Sequence, residues 1–133
     1  MSNRKTCPSE RHKPCTVKAK GSRYSLMGRI WVEGKSETFL GHGRAVLLER
    51  IQQYGSITRA AQSLNMSYRR AWDLVESMNS QARTPLVEKA AGGKGGGGAG
   101  LTDAGARVLR SFRKFHNNFQ RFLAEQARDI AFD

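Results

Sequence analysis

The sequence predicts a mainly α-helical domain with a small β component, and three observations predict it. Two short amphipathic stretches meet at Asn65-Met66, where there is room only for a tight turn. A glycine-rich run after Pro85 separates two short stretches of strand character. From Thr102 to about Ile130 one helical period then continues without a breaker, spanning roughly 40 Å at about 1.5 Å per residue. With 133 residues, 38% of them hydrophobic, the chain supports one modest core.

Leu26 to Leu40 has strand character in Ile30, Trp31, Val32, Thr38 and Phe39, with Glu33-Gly34-Lys35-Ser36 as a turn. From Arg44 to Tyr54 the pattern is helical, and Leu47, Leu48, Ile51 and Tyr54 share one face. Gly55 ends that helix as a left-handed residue. Ser56 is the N-cap of a second helix whose apolar face is Ile57, Ala60, Ala61 and Leu64. The paired alanines let a neighbouring helix come close. Asn65, which tolerates the left-handed region, ends it. Ser67 caps a third helix with Ala71, Trp72, Leu74, Val75 and Met78 as its buried stripe. Two short helices on a turn of three or four residues make a helix-turn-helix. Leu86-Val87-Glu88-Lys89 and a strand returning at Leu101 form a β-hairpin, the wing, with the glycines at its tip. Thr102 caps the last helix, where Val108, Phe112, Phe115, Phe119 and Phe122 recur at spacings of 4, 3, 4 and 3, a heptad seam. The expected fold is thus a winged helix-turn-helix over residues 25–133 with a long C-terminal dimerisation helix, about 102–130.

Charge narrows the partner. The formal net charge of +12 favours a polyanion, nucleic acid ahead of an anionic membrane surface. Met1 to Tyr24 carries seven basic residues and one acid, a net +6, and lacks an apolar period, so residues 1–24 read as a basic, disordered tail. That tail either tracks phosphates or only solubilises the chain. No apolar run reaches transmembrane length and no secretory segment opens the chain, which points to the cytoplasm without a membrane partner. Cys7, His12 and Cys15 fit no common zinc spacing and lack a fourth ligand; free thiols are the expectation, and no metal site is assigned.

The first turn of the third helix concentrates the chemistry. Tyr68, Arg69 and Arg70 follow the Ser67 cap, although cations at a helix N-terminus are unfavourable by about 0.3–1 kcal/mol each. A phosphate at the helix end reverses that balance, and an arginine can bond guanine O6 and N7 together in the major groove. Arg59, on the polar side of the second helix, is either a phosphate contact or an ordinary exposed arginine. Trp72 reads as core rather than as a stacking platform. At the wing, Gly92, Gly93, Gly95, Gly96, Gly97 and Gly98 surround Lys94. A Walker phosphate loop is excluded, because Glu88 stands where its first glycine belongs and Gly95 follows the lysine. A wing whose bare backbone approaches DNA, with Lys94 on a phosphate, fits better. The phenylalanine helix is too long for the domain to bury, so its seam reads as a homodimer interface. His12, His42 and His116 are scattered, and Asp73 and Glu76 read as ion-pair partners among arginines; no enzyme is expected.

Gly55-Ser56-Ile57-Thr58-Arg59-Ala60-Ala61, then Ser67-Tyr68-Arg69-Arg70-Ala71-Trp72 and Met78-Asn79, resemble the DNA-binding domain of ModE-type molybdate-responsive regulators. The wing segment and Leu101-Thr102 with Gly105 extend the resemblance, which covers about Leu40 to Gln126; the first of these stretches fits LysR-type regulators equally well. The resemblance implies a dimer on a palindromic operator in double-stranded DNA, with Ser67, Tyr68 and Arg69 facing the major groove and Lys94 in the wing contact. Full-length members sense molybdate or tungstate through C-terminal domains that are not in this sequence. The expectation is therefore a chain without cofactor, meeting those oxyanions only through another chain or domain. Two other readings stand beside DNA-dependent regulation: a winged helix serving as a protein-interaction module, and a small metal or oxyanion sensor.

Overall fold

A computed structural model describes residues 14–21, 23–90 and 98–132. Its elements run β1 (Cys15–Lys18), β2 (Ser25–Gly28), β3 (Trp31–Glu33), β4 (Thr38–Gly41), α1 (His42–Tyr54), α2 (Ile57–Ser63), α3 (Tyr68–Gln81), β5 (Val87–Ala90), β6 (Gly98–Leu101) and α4 (Asp103–Asp129). The strands pair as three antiparallel two-stranded sheets, β1-β2, β3-β4 and β5-β6. The architecture is the expected mainly α winged helix-turn-helix with a long last helix. None of its helices, among the described residues, is long and apolar enough to cross a membrane.

Backbone punctuation sets the helix lengths. Gly55 stands at φ 68° and returns its N–H to the Ile51 carbonyl, ending α1. Ser56 accepts the Arg59 N–H and opens α2. Asn65 takes φ 53°, a conformation its short polar side chain tolerates, so the chain reverses within three residues. Ser67 then accepts the Arg70 N–H at 3.0 Å and opens α3. Ala60, Ala61 and Ala71 are all buried where α2 meets α3. Side chains of one methyl let those backbones come close. Leu40, Leu47, Leu48, Ile51, Met78 and Leu86 fill the centre and are almost wholly removed from water.

The start of α4 is fixed to this centre at Thr102. Thr102 accepts the Gly105 N–H and donates its hydroxyl to the Pro85 carbonyl, while its own N–H reaches the Leu86 carbonyl. Leu109 and Phe112 then enter the core. Farther along, β1 and β2 pack on the helix, where Leu123 and Ala127 are buried. The thiol of Cys15, itself buried, shares a 3.4 Å hydrogen bond with Nε2 of His116, whose ring stacks on His42. Burial pushes the Cys15 thiol up, with a hydrogen bond from Gln120 opposing it. Burial first, and then the charge of Arg113, push His116 down.

That hairpin corrects the expectation of a disordered tail reaching Tyr24. Cys15–Lys18 pairs with Ser25–Gly28 from Cys15 opposite Gly28 to Lys18 opposite Ser25, and Cys15 and Ala19 are buried. The stretch lacks an apolar period of its own because a neighbouring helix supplies its apolar partners. Residues 1–13, with Cys7 and His12, lie outside the described residues.

At Gly105 a Cβ would collide with the Leu86 carbonyl, part of the backbone that joins α3 to the wing. Gly105→Ala is expected to lower stability by about 1–3 kcal/mol, the usual penalty of overpacking, and to lower the melting temperature by several degrees in a calorimetric scan. An unchanged melting temperature would show that α4 does not rest on Leu86.

Candidate nucleic-acid interface

The candidate residues Tyr68, Arg69 and Arg70 stand at the exposed start of α3. The Ser67 hydroxyl takes the Arg70 N–H, which leaves the neighbouring first-turn N–H groups facing outward. No acidic residue occupies that turn. Tyr68 is 51% exposed, and Arg69 and Arg70 are exposed beside it. The helix therefore presents partial positive charge from its backbone and full positive charge from two side chains at one end. Arg69 leans on its own helix: its Nε lies 3.3 Å from the Asp73 carboxylate, and its guanidinium sits 5.9 Å from the Trp72 ring. Both partners are exposed, so this pairing is weak and leaves the guanidinium open to another acceptor.

Trp72 departs from its expected core position. It is 38% exposed, whereas Ala71, Leu74, Val75 and Met78 form the buried stripe. Ala71 already points inward, and the next residue lies about 100° round a helix of 3.6 residues per turn. Trp72 therefore borders the arginine face. Arg59 is also exposed, with its guanidinium 5.6 Å from the Tyr54 ring on the flank of the helix pair.

The wing is positioned from both sides of the helix pair. From α3, Asn79 donates its Nδ2 to the Val87 carbonyl at 3.0 Å, and its Oδ1 accepts the N–H groups of Leu86 and Val87. From the turn after α1, the Gly55 carbonyl accepts the Ala99 N–H at 2.9 Å. Between them β5 and β6 stay in register from Val87 opposite Leu101 to Ala90 opposite Gly98. Gly98 is thus a strand residue of the wing. Lys94 with Gly92, Gly93, Gly95, Gly96 and Gly97 lies outside the described residues. Asn79 has no counterpart in a reading of hydrophobic period; its signal is an amide near the end of a helix with a strand a few residues on.

Along α4 the five seam residues go to different places. Phe112 is 3% exposed and belongs to the protomer's own core, with Val108 half-buried against it. Half-buried Phe119 lies over β2, where a Cβ on Gly28 would meet its ring at 2.8 Å. Phe115 and Phe122, at 44% and 52% exposed, stand toward solvent. The expected seam thus has two outward phenylalanines seven residues apart, and its other members stabilise the chain itself. Among the described residues no group of three or more His, Cys, Asp or Glu side chains is placed to hold a metal ion.

A helix pair with a cationic leading end, flanked by a strand hairpin, defines a winged helix-turn-helix module. Comparison with known proteins agrees. Residues 44–106 match the model described as bacterial regulatory helix-turn-helix protein, lysR family. The chain is 40% identical over 98 residues to the molybdenum transport protein ModE of Azotobacter vinelandii, covering 74% of this chain and 36% of that one. It is 46% identical over 69 residues to the transcriptional regulator ModE of Yersinia pestis, covering 52% and 26%. It is 41% identical over 78 residues to the DNA-binding transcriptional dual regulator ModE of Escherichia coli strain K12, covering 59% and 30%. The chain therefore carries a LysR-type helix-turn-helix domain, similar in sequence to that of ModE regulators. It spans about a third or less of the length of these relatives.

Replacing Asn79 with Ala removes three hydrogen bonds and leaves the backbone N–H groups of Leu86 and Val87 without their acceptor. The expected loss of stability is about 1–3 kcal/mol, read by denaturant unfolding. Backbone amides of β5 are expected to exchange with solvent faster than those of α1. Equal protection in the variant and the parent would remove the clamp from the account.

Proposed function

We propose that this chain binds double-stranded DNA as a homodimer and regulates transcription, with genes of molybdenum or related oxyanion handling as its targets. One observation carries the reading: the Ser67-capped end of α3 faces solvent with Arg69 and Arg70, in a turn free of acidic residues. In this reading Ser67, Tyr68 and Arg69 meet base edges in the major groove, with Arg70 and Arg59 on its phosphate walls. Lys94, in the segment joining β5 to β6, adds a phosphate contact from the wing. The relatives' names supply the target class, since they include a molybdenum transport protein and transcriptional regulators. The homodimer rests on the outward Phe115 and Phe122, whose apolar rings gain by leaving water.

A gel shift with the DNA upstream of the chain's own gene tests the reading. Saturable binding is expected, weakening steeply as salt rises, because each phosphate contact releases a condensed counterion. Folded protein that leaves this DNA unshifted at low salt would overturn it. Arg69→Ala is expected to reduce affinity by about 1–3 kcal/mol and to relax sequence preference at one position of each half-site. A uniform loss across all sequences would place Arg69 on a phosphate instead.

Sedimentation tests the dimer separately. The parent chain is expected to sediment as a dimer at micromolar concentration, and Phe122→Glu to shift it to monomer with its circular dichroism unchanged. A variant that remains dimeric would move the interface off this face of α4.

A further inference from the structure

A cavity of about 340 Å³ lies between the first strands and the helix-turn-helix, within the usual range for small-molecule sites of roughly 300–1,000 Å³. Its lining includes Arg29, Arg44, Arg70, His42 and His116, cationic or titratable to cationic, beside the neutral Thr38 and Cys15. Among the described residues no carboxylate lines it. Arg44 is half-buried and held by the Ser77 hydroxyl at 2.9 Å, so its charge is fixed in place. Burial pushes the Arg44 guanidinium down; Glu37 opposes that, and the like charge of Arg70 adds to it. The first turn of α1 joins the wall through His42, Gly43 and Arg44. Its N-cap Gly41 offers no side-chain cap, and the turn contains no acidic residue. The backbone dipole and three arginines therefore favour the same sign of charge in one space. Ile30, Trp31 and Leu74 add apolar surface to the lining.

We propose that this cavity binds a small organic anion, its carboxylate- or phosphate-type head on Arg29, Arg44 and Arg70 and its apolar body against Trp31 and Leu74. Arg70 belongs both to this wall and to the exposed first turn of α3. An anion in the cavity draws Arg70 inward, so occupancy weakens contact between that turn and DNA. This coupling rests on the proposed DNA-binding function; the pocket itself does not.

Calorimetry on the full chain without DNA tests the pocket, with benzoate and phenyl phosphate as probes at constant ionic strength. Saturable binding of at least one probe is expected, and which one binds identifies the head group. Arg44→Gln and Arg29→Gln are each expected to weaken it at least tenfold. Arg29 is exposed, so its variant keeps the test sound if loss of Arg44 disturbs the fold. No saturable heat from either probe, or affinity unchanged in folded Arg29→Gln, would overturn the site. Inorganic phosphate binding as tightly as phenyl phosphate would overturn the role of the apolar surface. A gel shift with the probe at saturation then reads the coupling: DNA affinity is expected to fall at least threefold, beyond what chloride does at the same ionic strength. Probe binding without that fall overturns the coupling. Probe binding by a protein that shifts no DNA overturns the proposed function and leaves the pocket standing.

Discussion

A single hydrogen bond at the start of α3 organises the functional face of this molecule. When the Ser67 hydroxyl takes the Arg70 N–H, the helix starts at Tyr68 and nowhere else. A start one residue later would leave Tyr68 outside the helix and Arg69 as its first residue, without the Ser67 cap. The cap holds because Asn65 reverses the chain just before it, in a left-handed conformation most residues avoid. Alanines at 60, 61 and 71 then let α2 and α3 pack closely, which keeps the arginine end outward. An N-cap of this kind contributes about 1 kcal/mol to stability. Its larger consequence here is positional.

The remaining elements hang on this helix pair. Asn79 and Gly55 reach the wing from the two sides, so the hairpin cannot drift relative to the arginines. Leu86 serves the core with its side chain and α4 with its carbonyl, and Gly105 is the residue that lets α4 approach it. The hairpin of β1 and β2 then covers part of the far end of α4. The domain thus stabilises its longest helix partly by itself, and leaves Phe115 and Phe122 exposed.

Much of the fold was legible because caps and left-handed stops are local. Gly55, Ser56, Asn65, Ser67 and Thr102 act within a few residues of themselves, and each stands in its expected role. What failed depended on distance. Trp72 follows the apolar face of α3 in spacing, but the inward stripe of Ala71, Leu74, Val75 and Met78 is complete without it. Cys15 to Lys18 read as tail because its apolar partners come from α4, about a hundred residues away. The heptad spacing of the phenylalanines was real, yet spacing alone does not say whether a ring meets its own chain or another. Phe112 meets its own core, and Phe115 does not enter it. The cavity beside Arg70 was beyond reach for the same reason, since its wall joins residues from Cys15 to His116.

The central claim is that the leading end of α3 enters a major groove. Methylation protection with dimethyl sulfate on the bound duplex tests it most directly, because the reagent attacks guanine N7, which lies in that groove. The account predicts two patches of protected guanines, centred about one helical turn apart for a dimer. Bound DNA whose guanines all remain as reactive as in free DNA would contradict it.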